Sequence, residues 1–393
     1  MGARRTVTIL RKGYRVMLDL NEIRKQIDAT DQEIVRLFEQ RMRLTQQVAE
    51  YKIETGKPVF DPEREHSKLE TLGALASGAF NKRGVQELFQ QIMSISRKRQ
   101  YQLLAGTKRK RDVSPEYSQV EEIPADAATV VFQGVEGAYS FAAMKEFFGD
   151  GVQSFHVETW KDAMEAISQG KADYAVLPIE NSTAGSVLDI YDLLVEYPHY
   201  IVGEQIIPVD HVLMGIPGAK MEKLTEVYSH PQALAQSKRY LEQHPDWKQT
   251  AVLNTAVAAK MVAESGDRTK AAIASRYAAE HFGLQILDQE FVSSNNETRF
   301  VILSGKPCFK KDARKISVYI ELPHETGSLY NILSHIIYNG LNMTKIESRP
   351  IPKRNWEYRF FVDFEGNLGD AAVQNALLGI GAEAKKIRVY GNY

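Results

Sequence analysis

Two cations stand where a helix would be expected to bury leucines. Ile23, Ile27, Ile34, Leu37, Leu44 and Val48 recur with a helical period. At about 100° per residue, with Arg41 set at zero, Ile23 also falls at zero, Ile34 near 20°, Leu37 near −40° and Val48 near −20°. Arg41 is therefore mid-stripe. Lys52, eleven residues later, completes about three turns and lands near 20°. A buried cation is costly unless it meets an anion. Either both side chains snorkel to the helix edge or pair with acids of another helix, or they face a ligand. Further along, Ser96 takes a stripe position relative to Ile92, and Gln100 follows one turn later. Asp61, Arg64 and Glu65 open the helix between these two. Such a set could line a dry pocket for a small dicarboxylate.

A second group of polar residues gathers at strand ends. "GVEGAYS" (134–140), "PIENSTAGSV" (178–187) and "NNETRFVIL" (295–303) each place hydroxyls and amides beside an apolar run. "SHPQALAQ" and "NTAVAA" add two polar helix starts. Free N–H groups at a helix start bind carboxylates well. Taken singly, Ser140, Ser182, Thr183 and Thr255 read as ordinary cap residues. Their recurrence within one segment points to a shared cleft.

The elements that must carry these residues fall into three segments. Residues 18–105 are helical throughout, with breaks at Thr55-Gly56-Lys57-Pro58 and a restart at Asp61-Pro62. Three helices with few apolar residues between them make a thin core, which calls for a partner chain. Residues 106–128 are charged and aperiodic and read as a linker. Residues 129–306 alternate short strands with helices, an α/β pattern with loops at strand ends. Residues 314–393 read βαββαβ, the α+β ferredoxin-like plan.

Composition narrows the function. A chain of 393 residues implies more than one domain, and Lys+Arg 49 against Asp+Glu 50 excludes the positive excess of a nucleic-acid binder. No run of 18 apolar residues marks a membrane span. The single cysteine, Cys308, fits a reducing, cytoplasmic compartment. Residues 1–17 carry Arg4, Arg5, Arg11, Lys12 and Arg15 without an acid and read as a disordered tail, with Met17 an alternative start. "GIGAEA" at Gly379 imitates a dinucleotide loop but ends a helix, and the nine histidines show no metal spacing. Neither a cofactor nor a metal is expected.

The helical segment resembles the all-helical chorismate mutase domain through "LNEIRKQIDATD", "LFEQRMRL", "VAEYK", "FDPEREHSKL" and "QQIMSISRKRQ". That resemblance implies an interlocked dimer. It assigns Arg41 and Arg64 to substrate carboxylates, and Arg24 to the other protomer's pocket. Lys52 and Gln100 would face the ether oxygen, Asp61 and Glu65 the substrate hydroxyl, and Ser96 a carboxylate. Residues 129–305 resemble the prephenate dehydratase domain through "GAYS", "PIENSTAG", "HPQALAQ", "TAVAA", "AAIAS" and "NETRF". The resemblance implies a two-lobed α/β fold like that of periplasmic binding proteins, with substrate between the lobes. Ser140, Asn181, Ser182, Thr183, Thr255, Asn296, Thr298, Arg299 and Phe300 become its candidate site. Within it Thr298 would assist the departing hydroxyl, Arg299 clamp an anion, Asn296 hold the surroundings and Phe300 pack beneath. Strand alternation turns Glu297 to the other face.

The C-terminal segment resembles an ACT domain through "ETGSLYNIL" and "KIESRP". The implied phenylalanine site comprises Gly327, Ser328, Leu329, Glu347, Ser348, Arg349 and Pro350. Where the family pattern usually has Gly-Ala-Leu, this chain has Gly-Ser-Leu. The domain order is that of bifunctional chorismate mutase/prephenate dehydratases. The expected partners are chorismate, prephenate, the effector phenylalanine and further copies of the chain as a homodimer or higher oligomer. Rival readings are a non-catalytic amino-acid sensor and a dehydratase with a degenerate mutase.

Overall fold

The computed structural model describes residues 6–11, 14–105, 117–289 and 296–393. They divide into two units. The first comprises Met1–Arg111, Pro323–Gly340 and Ala371–Lys385, the second Asp112–Leu322, Leu341–Asp370 and Lys386–Tyr393.

The first unit is built on three helices. Helix α1 (Leu20–Thr55) starts where the Asp19 carboxylate accepts from Asn21 N–H at 2.9 Å and stops at Gly56, whose φ of 72° lies in the left-handed region. Helix α2 (Pro62–Ala74) is capped by Asp61, which accepts from Arg64 N–H at 3.1 Å. Helix α3 (Gly78–Ala105) packs against both, and also against the helices Ser328–Tyr338 and Ala371–Glu383 from the C-terminal segment. The expected disordered tail is corrected in part. Thr6–Arg11 pairs antiparallel with Tyr14–Asp19, Val7 opposite Leu18 and Ile9 opposite Val16, because Thr6 to Ile9 alternate polar and apolar at the strand period.

The second unit holds a large mixed sheet and a five-stranded one. In the large sheet Phe300 and Ile302 pack into a core with Val130, Phe132 and Val176. Val301 and Leu303 enter another with Val131, Ala175 and Leu177. Alternation thus buries the strand Glu297–Ser304 on both faces from Phe300 onward. The five-stranded sheet, centred on Lys270–Ser275, forms a second lobe. The chain enters that lobe between Tyr200–Pro208 and His211–Gly215, and leaves it between Gln285–Asp288 and Glu297–Ser304.

The segment 314–393 has the expected βαββαβ order. Its strands run Met343–Pro350, Tyr358–Glu365, Lys315–Glu321, Lys386–Asn392 across the sheet and join the dehydratase-like strands where Gly391 pairs with Ile201. A Cβ at Gly391 would collide with the Ile201 carbonyl, so the junction requires glycine. The expected linker is also partly structured. Ser118–Val120 pairs in parallel with Cys308–Lys310, while residues 106–116 lie outside the described residues. No helix among the described residues is long and apolar enough to cross a membrane.

Candidate active sites

In the first unit one stripe cation, Arg41, is turned toward α3 and the other, Lys52, toward the loop that precedes α2. The Arg41 guanidinium donates to Ser96 Oγ and, at 3.5 Å, to the Ile92 carbonyl. Burial pulls its pKa below the ordinary value against the opposing charge of Glu65. Lys52 Nζ donates to the Val59 carbonyl at 2.7 Å, and burial lowers its pKa too, with Asp61 opposing. Gln100 is buried, donates to the Ser96 carbonyl at 3.3 Å and leaves its Oε1 without a partner among the described residues. Arg41, Ser96 and Gln100 thus meet across α1 and α3, and Glu65 and Lys52 complete the polar wall. Asp61 and Arg64 are exposed at its edge.

Arg24 does not join them. It lies on α1 seventeen residues before Arg41, about 25 Å along the axis, and is exposed. The apolar stripe is open as well. Ile27, Ile34, Leu37, Leu44 and Val48 are 44–55% exposed, whereas Thr45 and Ala49 are buried. The stripe therefore does not form the core of its own protomer. Arg97, missed in the sequence, is buried and bonded to Glu65.

In the second unit a cleft of ≈ 390 Å³ is lined by Asn181, Asn254, Thr255, Asn296 and Thr298, with Tyr139, His211 and His230 among the others. Asn181 organises it. Its Nδ2 donates to Asn296 Oδ1 at 2.7 Å and to Thr298 Oγ1 at 3.0 Å, and its Oδ1 accepts from the N–H groups of Thr183 and Ala184. Thr183 Oγ1 braces the pair, 2.8 Å from Asn181 Oδ1 and 3.2 Å from Asn296 Oδ1. Thr255 is not the cap of the helix Thr255–Ser265, because Asn254 accepts from Val257 N–H at 2.8 Å. Thr255 instead faces the cleft.

Four expected residues lie elsewhere. Ser140 Oγ donates to the Gln133 carbonyl at 2.5 Å and is buried beneath the wall, while its neighbour Tyr139 takes the cleft position. Ser182 clips the strand edge, accepting from Glu297 N–H at 2.9 Å. Phe300 belongs to the core. Arg299 points to the other face of its strand, where Glu180 at 3.0 Å, Glu204 at 3.3 Å and Asp363 at 3.1 Å surround it. Burial opposes its charge, but the surrounding Tyr393, Asp363 and Glu204 raise its pKa. An arginine already held by three carboxylates is a structural hub rather than an anion clamp.

The signals for the missed residues differ. Tyr139, His230 and Asn254 stand inside quoted motifs, whereas His211 sits in an apolar strand and carried none. Its Nδ1 lies 2.8 Å from the Tyr139 hydroxyl, and burial lowers its pKa to about 4. No lysine or arginine stands among the described residues lining the cleft. An anionic ligand there would meet hydroxyls, amides and the start of the helix Thr255–Ser265.

The expected phenylalanine residues divide between the units. Gly327, at φ 84°, caps the helix Ser328–Tyr338 in the first. In the second, alternation splits the strand Met343–Pro350. Glu347 accepts from Ser186 Oγ at 2.6 Å and Arg349 pairs with Asp192, while Ser348 and Pro350 are exposed on the opposite side. The four cannot all present side chains to one face.

Comparison with known proteins bears on the segments that carry the two polar walls. A family model described as Chorismate mutase type II matches residues 23–101, and one described as Prephenate dehydratase matches residues 130–308. A bifunctional chorismate mutase/prephenate dehydratase of Neisseria gonorrhoeae is 33% identical over 372 residues, covering 94% of this chain and 95% of the relative. A prephenate dehydratase of Arthrobacter aurescens, solved with L-Phe, has a TM-score of 0.61 at 28% identity, covering 67% of this chain and 89% of that one. GqqA, described as a novel type of quorum quenching acylase, has a TM-score of 0.61 at 32% identity over 67% of this chain and 96% of its own.

Proposed function

This chain belongs to the family of bifunctional chorismate mutase/prephenate dehydratases, and from that premise we propose that its two reactions run at the two polar walls described above. It converts chorismate to prephenate, and prephenate to phenylpyruvate with loss of water and CO2.

The first reaction is pericyclic and needs no nucleophile. The pocket folds the substrate and stabilises charge growing on the breaking ether oxygen. Lys52 and Gln100 supply donors to that oxygen in a low-dielectric wall, Arg41, Arg64 and Ser96 hold carboxylates, and Asp61 and Glu65 hold the hydroxyl. The open apolar stripe of α1 seats a second copy of the chain, whose Arg24 completes the pocket. The distance of Arg24 from Arg41 along one helix supports that sharing.

In the second reaction aromatisation drives the loss of CO2, and the enzyme helps the ring hydroxyl depart. The carrying observation is Thr298 Oγ1 at the cleft wall, accepting from Asn181 at 3.0 Å. That bond occupies a lone pair and leaves the hydroxyl proton for the leaving oxygen. Thr183 and Asn296 fix Asn181. Thr255 and the helix start behind it hold a carboxylate.

Phenylalanine inhibits the dehydratase through the ACT-like segment. A relative solved with L-Phe and a left-handed glycine opening the helix Ser328–Tyr338 support this reading. The purified protein should consume chorismate and form phenylpyruvate, more slowly with phenylalanine present. Chorismate loss without phenylpyruvate would contradict the dehydratase site, and calorimetry showing no phenylalanine binding at millimolar concentration would contradict the inhibition.

A further inference from the structure

Arg97 is a buried cation to which the mutase reading gives no task. It is 5% exposed on α3, beside Ser96, and two carboxylates divide its guanidinium. Nη1 donates to Glu65. The opposite edge donates to Glu383, from Nε at 2.8 Å and from Nη2 at 3.4 Å. Glu383 ends the helix Ala371–Glu383, 286 residues further along the chain. Its Oε1 lies 3.1 Å from His335 Nε2, and the His335 ring meets Tyr101 of α3 edge-on with centroids 5.8 Å apart.

The packing is specific. A Cβ at Gly379 would collide with the His335 ring, so glycine one turn before Glu383 lets the imidazole reach that carboxylate. The "GIGAEA" stretch, which imitates a nucleotide loop, has this steric purpose instead. Burial pushes the Glu383 carboxyl up, but His335 and Arg97 outweigh it and keep the group ionised.

We propose that Glu383 and His335 are positioning residues of the mutase pocket, supplied by the C-terminal segment. Glu383 occupies the two-pronged Nε/Nη2 edge of Arg97, and Glu65 takes the Nη1 side. Without Glu383 the guanidinium would turn its two-pronged edge onto Glu65 and draw that carboxylate away from the substrate hydroxyl. The proposal rests on locating the mutase chemistry between α1 and α3. The rival is a structural ion pair, which apolar residues of similar volume replace at little cost.

The test uses the full chain, assayed separately with chorismate and with prephenate. Glu383→Gln keeps shape and removes charge. It should lower mutase kcat/KM by about 10- to 100-fold, chiefly through KM because Glu65 holds a group that does not react. Prephenate dehydration should be unchanged, and Glu383→Asp should recover part of the mutase loss. Unaltered mutase constants in a folded Glu383→Gln protein overturn the proposal. If that variant fails to fold, His335→Gln, which keeps Arg97 and both carboxylates but loosens Glu383, carries the test: a folded protein with raised mutase KM supports positioning, and normal mutase constants overturn it. Lys52→Ala, run alongside, separates the two levels. If it abolishes the mutase while Glu383→Gln does nothing, only the positioning role fails. If neither matters, the pocket itself lies elsewhere.

Discussion

On the proposed function, the two polar walls solve one problem, holding a small dianion, in opposite ways. The helical wall puts formal cations, Arg41 and Lys52, into a half-buried site and accepts the desolvation that lowers both pKa values. The cleft uses neutral donors, with Asn181 at the centre of a short hydrogen-bonded net, and its neighbouring arginine is turned away and neutralised. The difference follows the chemistry. The rearrangement gathers negative charge on an ether oxygen and profits from a cation. The dehydration expels hydroxide as aromaticity forms, so a positioned hydroxyl suffices. A second contrast concerns completeness. The cleft gathers Asn181, Asn296 and Thr298 within a single chain, whereas the helical wall leaves its apolar stripe open and its Arg24 out of reach.

The largest expected effect tests the neutral net. Thr298→Val should cut dehydratase turnover by about 10²–10⁴-fold, with mutase activity and melting temperature kept, and Thr298→Ser should retain much of the rate. A Val variant that dehydrates normally would reduce the threonine to a strand residue. Next comes the turned-away arginine. Arg299→Leu leaves Glu180, Glu204 and Asp363 without their shared cation and should cost about 3–5 kcal/mol of stability in denaturant melts. In protein that remains folded, KM for prephenate should stay near normal, and a large rise in KM would restore Arg299 as a clamp.

His211 offers a pH test of the same lobe. Its folded pKa of about 4 lies below the ordinary value, so the unfolded chain takes up its proton first. Stability is therefore full above about pH 6.5 and falls as pH drops toward 4, by about 3 kcal/mol in total. His211→Phe should flatten that part of the stability profile, and an unchanged acid limb would show that the ring is not held neutral. On the helical side Lys52→Ala should lose at least about 10²-fold in mutase activity while prephenate dehydration persists. The smallest effect is a recovery. Mixed Lys52→Ala and Arg24→Ala chains should regain part of the mutase activity if subunits share pockets, and strict additivity of the two inactive proteins would count against sharing.

Much of this molecule was legible as pattern. The helical period of α1, the Asp61-Pro62 restart, the buried run Phe300–Leu303 and the βαββαβ order all come from spacing and local chemistry, which neighbouring residues decide. Spacing also singled out Arg41, Lys52, Ser96 and Gln100, since a cation on an apolar stripe demands an explanation wherever the helix packs. Strand alternation separated Thr298 from Glu297. The same alternation turns Arg299 away from Thr298 and splits the run from Glu347 to Pro350 between two faces.

What only the tertiary structure decided is which distant groups meet. Arg299 became a hub because Asp363, on another strand of the sheet, arrives beside it. Ser140 left the cleft because a carbonyl seven residues earlier took its hydroxyl. His211 entered the cleft from an apolar strand that gave no signal. Arg97 acquired Glu383 across most of the chain. The physical reason is common to all four. Local sequence sets backbone conformation and the face a side chain takes, but charge, burial and hydrogen-bond partners depend on how elements pack, whether the partner is 7 residues away or 286, and no local pattern encodes them.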